Sequence, residues 1–152
     1  MTKTKMAIIK DWRIFNVNVP FIGDDSWKKR WPNFMPHEFD SPDTHNVRMY
    51  VKVLDGLQAI RNEFGPLIIT SGYRTPEYNA QIGGGINSQH LLGLAADIDI
   101  PLKKVKTIGP QLEVLASRHG FTGIGRYSPT VSRPSQSFIH VDMRVKPATG
   151  GS

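Results

Sequence analysis

The decisive stretch is Ser88-Gln89-His90-Leu91-Leu92-Gly93-Leu94-Ala95-Ala96-Asp97-Ile98-Asp99-Ile100, read together with Phe138-Ile139-His140-Val141-Asp142-Met143. Over 94–100 the side chains alternate, with Leu94, Ala96, Ile98 and Ile100 on one side and Ala95, Asp97 and Asp99 on the other, until Pro101 ends the run. Period two with one apolar side predicts a half-buried strand. In the second stretch Ile139, Val141 and Met143 form the apolar side, and Phe138, His140 and Asp142 share the opposite one. Facing side chains of antiparallel neighbours lie ~4.5–5.5 Å apart at Cβ, so such a pairing lets Asp97 and His140 reach one ion, with His90 descending onto it from the preceding loop.

Two imidazoles and one carboxylate form a ligand set suited to a catalytic zinc, whose fourth position holds water or substrate. The competing explanation is that each of these residues is an ordinary solvated or hydrogen-bonded side chain. The chain has no cysteine, so disulfides and thiolate metal sites are excluded and a metal centre must use nitrogen and oxygen alone.

The pattern Ser-x-His-x-x-Gly-x-Ala-x-Asp, carried by Ser88, His90, Gly93, Ala95 and Asp97 and followed by His140-Val141-Asp142, resembles the zinc D-Ala-D-Ala carboxypeptidases. Their relatives include phage L-Ala-D-Glu endopeptidases and the hedgehog signalling domain. The resemblance extends to Glu38-Phe39-Asp40-Ser41-Pro42-Asp43 and to Ser71-Gly72-Tyr73-Arg74-Thr75-Pro76-Glu77-Tyr78-Asn79, and it ends over 138–144. It implies Zn2+ held by His90, Asp97 and His140. It also implies an α+β fold, in which a small, mostly antiparallel sheet carries the zinc site and helices flank it. The activity implied is hydrolysis of peptidoglycan stem peptides at a bond next to a D-amino acid, as a D,D-carboxypeptidase or an endolysin-type endopeptidase. The hedgehog precedent leaves a second possibility, a non-catalytic metal-binding module of a virion or cell wall on the same scaffold.

Three further residues are candidates for the chemistry. Arg74 stands between a strand end and a helix that Thr75 caps and Pro76 begins. A guanidinium there can grip a substrate carboxylate with two parallel hydrogen bonds, the role that the resemblance implies; the alternative is a local bridge to Glu77. Many relatives carry an acidic residue three positions before the last zinc histidine, where this chain has Ser137. Asp142 is the replacement general base, since it shares the face of His140 about 6.6 Å further along the strand, and Asp99 is the second candidate. Either carboxylate can instead orient a ligand imidazole. Ser88 either donates to substrate or caps its loop.

At 152 residues, 39% of them hydrophobic, the chain predicts one compact domain over 1–152. Residues 1–33, with an apolar stretch over 6–9 and Trp12, Phe15, Phe21, Trp27 and Trp31, read as an extended arm packing on it with one edge strand. Apolar residues at three- and four-residue steps predict an amphipathic helix over 46–64, stopped by Gly65-Pro66. The run 67–71 predicts a central strand, and a second helix is expected around 108–119. A strand over 121–127 and a last strand reaching 145 follow, then a flexible tail over 146–152. His37 and His45 read as surface or capping residues and His119 as a helix C-terminal one.

The net charge of +6 is spread over scattered lysines and arginines with no nucleic-acid-binding motif, so no nucleic-acid partner is expected. No run is apolar enough to cross a membrane, and the N-terminus lacks a basic-then-apolar leader. The expected setting is the host cytoplasm before release to the cell wall, as for a phage lysin, or a virion. The expected partner is a peptidoglycan peptide, met by a monomer.

Overall fold

The computed structural model describes residues 13–18, 24–129, 131 and 137–144. Its elements run β1 (Ile14–Asn18), α1 (Asp25–Arg30), a 3-10 turn (Pro36–Phe39), β2 (Asn46–Tyr50), α2 (Val51–Phe64), β3 (Ile69–Ser71) and α3 (Pro76–Gln81). A 3-10 turn (Gln89–Leu92), β4 (Ala95–Asp99), a third 3-10 turn (Leu102–Lys104), α4 (Val105–Arg118), β5 (Gly123–Tyr127) and β6 (Phe138–Asp142) complete it. The fold is α+β with small antiparallel sheets: β1 pairs with β2, and a four-stranded sheet has the order β3-β4-β6-β5.

The sheet is two-sided in the sense the alternation requires. Ala96 and Ile98 of β4 and Ile139 and Val141 of β6 are buried in the core with Leu54, Leu57 and Ile60 of α2 and Leu112 and Ala116 of α4. Their alternates, Asp97, Asp99, His140 and Asp142, turn to the other face. An aromatic group fills the far side of the core, where Trp27 packs edge-on against Phe15 and Trp31 at centroid separations of 4.9 and 4.7 Å. Trp27 and Trp31 are thus packing residues, delivered by a short helix that Asp24 caps by accepting from the Trp27 amide at 2.9 Å.

Four expectations need correcting. The helix predicted over 46–64 starts only at Val51, because 46–50 form β2. Val47 and Met49 are fully buried between less buried neighbours, a period-two signal hidden inside the three- and four-residue spacing. The partner strand, β1, lies some thirty residues upstream, as in Val17 opposite Val47, where no local window can find it. Among the described residues the run at 67–71 yields an edge strand rather than a central one, with Ile68 64% exposed, Ile69 buried and Leu67 partly buried against the core. The second helix begins at Val105, ahead of Gly109-Pro110, so the proline sits inside it. The last strand ends at Asp142, short of Arg144. The apolar stretch over 6–9, Trp12, Phe21, Val145 and the tail over 146–152 lie outside the described residues.

Gly93 closes the turn that delivers His90. It sits at φ +77°, and a Cβ there would come 2.1 Å from the Arg48 carbonyl oxygen. Gly93→Ala therefore combines left-handed strain with a backbone clash, and a loss of at least about 1–2 kcal/mol is expected in urea unfolding. An unchanged midpoint would show that β2 and this turn are not packed as described.

Candidate metal centre

The β4–β6 register sets Asp97 directly opposite His140. His90 arrives from the 3-10 turn before β4, whose first residue is preceded by Ser88; the Ser88 hydroxyl accepts from the His90 amide at 3.2 Å. Ser88 thus caps its loop, and this bond does not use the hydroxyl proton that a substrate role would need. One carboxylate oxygen, Asp97 Oδ1, lies 3.2 Å from His90 Nε2 and 3.0 Å from His140 Nδ1. One ligand atom from each of the three residues falls within 4.8 Å of the others.

What the outer nitrogens do decides whether a cation fits. His90 Nδ1 donates to the Gly72 carbonyl at 2.6 Å, and His140 Nε2 donates to Asp142 Oδ2 at 2.8 Å. Both acceptors lack a hydrogen, so each ring is fixed with its other nitrogen aimed at Asp97. Zinc bonds of ~2.0–2.2 Å in a tetrahedron put ligand atoms about 3.3–3.5 Å apart, close to the separations found. The donor set, two imidazoles and a carboxylate, suits zinc better than a hard cation such as calcium or magnesium.

The electrostatics point the same way. Burial alone would raise the Asp97 carboxyl, but hydrogen bonds from His140 and His90 and their charge hold it well below the usual carboxylate range. Burial opposes the charged form of His140, and Asp142 and Asp97 outweigh it, pushing the imidazole up to about 9. The ring thus lies between two carboxylates, and the Nδ1 proton facing Asp97 occupies the place a metal would take.

Asp142 is fully buried, and both of its oxygens are engaged. Arg144 Nε donates to Oδ1 at 2.9 Å, while His140 Nε2 and Arg144 Nη2 donate to Oδ2 at 2.8 and 3.2 Å. Burial would raise this carboxyl, but His140 and Arg144 bring it below its ordinary value. Asp99 is exposed on the same side of β4, opposite Phe138. Ser137 is buried, and its hydroxyl donates to the Ile100 carbonyl. Arg74 does not bridge to Glu77: its Nε donates to Ser71 Oγ at 3.1 Å, Nη1 to Asn79 Oδ1 at 3.1 Å and Nη2 to Asp97 Oδ2 at 3.4 Å. His45 pairs with Asp40 and His119 with Glu63, and His37 is exposed.

Two contributors carried no role in the sequence reading. Arg144 lies two residues beyond Asp142, so continued alternation signals its side, but only the fold shows that it closes over Asp142. The Gly72 carbonyl carries no sequence signal at all, since a backbone acceptor has no side-chain identity.

A family model described as Peptidase M15 matches residues 34–142. The zinc D-Ala-D-Ala carboxypeptidase of Streptomyces albus G is 34% identical over 70 residues, a match that takes in 45% of this chain and 26% of that protein. The chain is similar to it over that span, well under two thirds of the relative's length.

Because His140 holds its proton up to about pH 9 in the metal-free protein, zinc binding at about pH 7.5 should displace one proton from Nδ1. Calorimetric titration in buffers of different ionisation enthalpy measures this directly. Zinc uptake with no proton release would contradict His140 Nδ1 as a ligand atom.

Proposed function

The chain belongs to the peptidase M15 family, and from that premise we propose that it is a zinc metallopeptidase hydrolysing peptidoglycan stem peptides at a bond next to a D-amino acid. D,D-carboxypeptidase and endolysin-type endopeptidase activity are the two forms of this reading, with the peptide as partner and the cell wall as the place of action. The observation that carries it is Asp97 Oδ1, flanked at 3.0 and 3.2 Å by two imidazoles whose outer nitrogens are already committed.

Zinc held by His90, Asp97 and His140 would polarise the scissile carbonyl and acidify a bound water toward neutrality. The surrounding residues supply orientation and proton transfer. The Gly72 carbonyl and Asp142 each hold one imidazole by its outer N–H, which fixes the tautomer that a metal requires. Asp142 serves as this orienting partner rather than as the base, since a carboxylate shut off from solvent that already accepts three hydrogen bonds from His140 and Arg144 is poorly placed to meet a water. That leaves Asp99, exposed on the same face and ~6.6 Å along the strand from Asp97, to take the proton through a water and return it to the leaving amine. Arg74 spends three of its five N–H donors on Ser71, Asn79 and Asp97 and has two more to offer a substrate carboxylate.

Ser137 supports the second reading, a metal-binding module without turnover. Its buried hydroxyl, bonded to Ile100, cannot replace the acidic residue that many relatives carry there.

A synthetic stem peptide ending in D-Ala-D-Ala, followed across a zinc titration, separates these roles. Arg74→Lys should keep zinc and lose at least about tenfold in kcat/KM, because the planar two-pronged contact is gone; unchanged kinetics would leave Arg74 a structural residue. Asp99→Asn should lower turnover by ~10²–10⁴-fold even at saturating zinc. Asp142→Asn should instead weaken zinc about 10–100-fold, with activity restored by excess metal. The reverse pattern would make Asp142 the base, and a fully zinc-loaded wild type that cleaves neither this peptide nor cell-wall material would favour the non-catalytic module.

A further inference from the structure

We infer that Asn79 is a positioning residue for substrate recognition, aiming the Arg74 guanidinium into the site and tying it to the turn over 83–85 that leads into the His90 motif. The inference rests on the carboxylate-binding role proposed for Arg74 and extends it to a residue with no assigned part.

Asn79 lies in α3 and is 3% exposed. Its Oδ1 accepts from Arg74 Nη1 at 3.1 Å, and its Nδ2 donates to the Gly85 carbonyl at 2.9 Å. A guanidinium only donates and a carbonyl only accepts, so the two neighbours together fix which way the amide points. The backbone repeats the link, since the Gly84 amide donates to the Asn79 carbonyl at 2.8 Å. The turn is packed hard against the amide: a Cβ on Gly84 would come 2.0 Å from Asn79 Oδ1.

The guanidinium is therefore held from two directions. Ser71 and Asp97 hold it from the sheet, and Asn79 holds it from the helix side. A neutral acceptor is what this position needs. An aspartate in its place would pair with Arg74, compete with a substrate carboxylate for the same cation and repel the Gly85 carbonyl. Alanine would leave Nη1 without this anchor and the Gly85 carbonyl without its donor.

The test is NMR titration of the zinc-loaded protein with acetyl-D-alanine and with acetyl-D-alaninamide, two product-like probes that differ only in the carboxylate. Wild type should prefer the acid by about tenfold or more, the scale of a hydrogen bond to a charged group. Asn79→Asp should bring the two affinities together, and Asn79→Ala should lower the preference in part, with zinc content and the affinity for the amide unchanged in both. A merely structural role would weaken acid and amide alike. Wild-type preference retained in both Asn79 variants but lost in Arg74→Lys would overturn the role of Asn79 alone. No preference in the wild type would overturn the role of Arg74 and this inference with it.

Discussion

The antiparallel pairing of β4 with β6, in the register that sets Asp97 against His140, is the constraint on which the site depends. A slip of one residue would exchange the faces of a strand, sending Asp97 into the core and Ile98 onto the site. The apolar side prevents it, because Ile98 and Ile139 face each other at 1% and 0% exposure and have no alternative place to be buried. Hydrophobic burial on one side of the sheet thus determines ligand geometry on the other.

Burying Asp97 and Asp142 carries a desolvation penalty that only specific partners offset. Asp97 has His90, His140 and Arg74, and Asp142 has His140 and Arg144. The result is a chain of alternating sign, from Arg74 through Asp97, His140 and Asp142 to Arg144. Each member is held in one orientation by the next, so little rearrangement is needed when a cation enters. This pre-organisation explains why the site stands on two strands and a tight turn rather than on a mobile loop.

Much of this was legible in the sequence, because period-two alternation is a local property and both site strands express it. The face shared by Asp97, Asp99, His140 and Asp142 followed from it, whereas α2 from Val51 onward followed from three- and four-residue apolar spacing and the start of α3 from Thr75 and Pro76. Elements whose identity depends on distant partners were not legible. Val47 satisfies helical spacing with Tyr50 and strand spacing with Met49, and only pairing with β1 decides for a strand. The run 67–71 is as apolar at its start as a central strand, yet nothing in it reports that β3 has a single strand neighbour among the described residues. For Asp142, alternation gave the correct face but not the enclosure by Arg144, and that enclosure favours the orienting role over proton transfer.

The most direct measurement is mass spectrometry of muropeptides digested by the purified protein, with and without a zinc chelator. Loss of a stem-peptide fragment at a bond next to a D-amino acid, abolished by chelator and restored by added zinc, is the expected result. An unchanged muropeptide profile from protein carrying one zinc per chain would contradict the proposed peptidase activity.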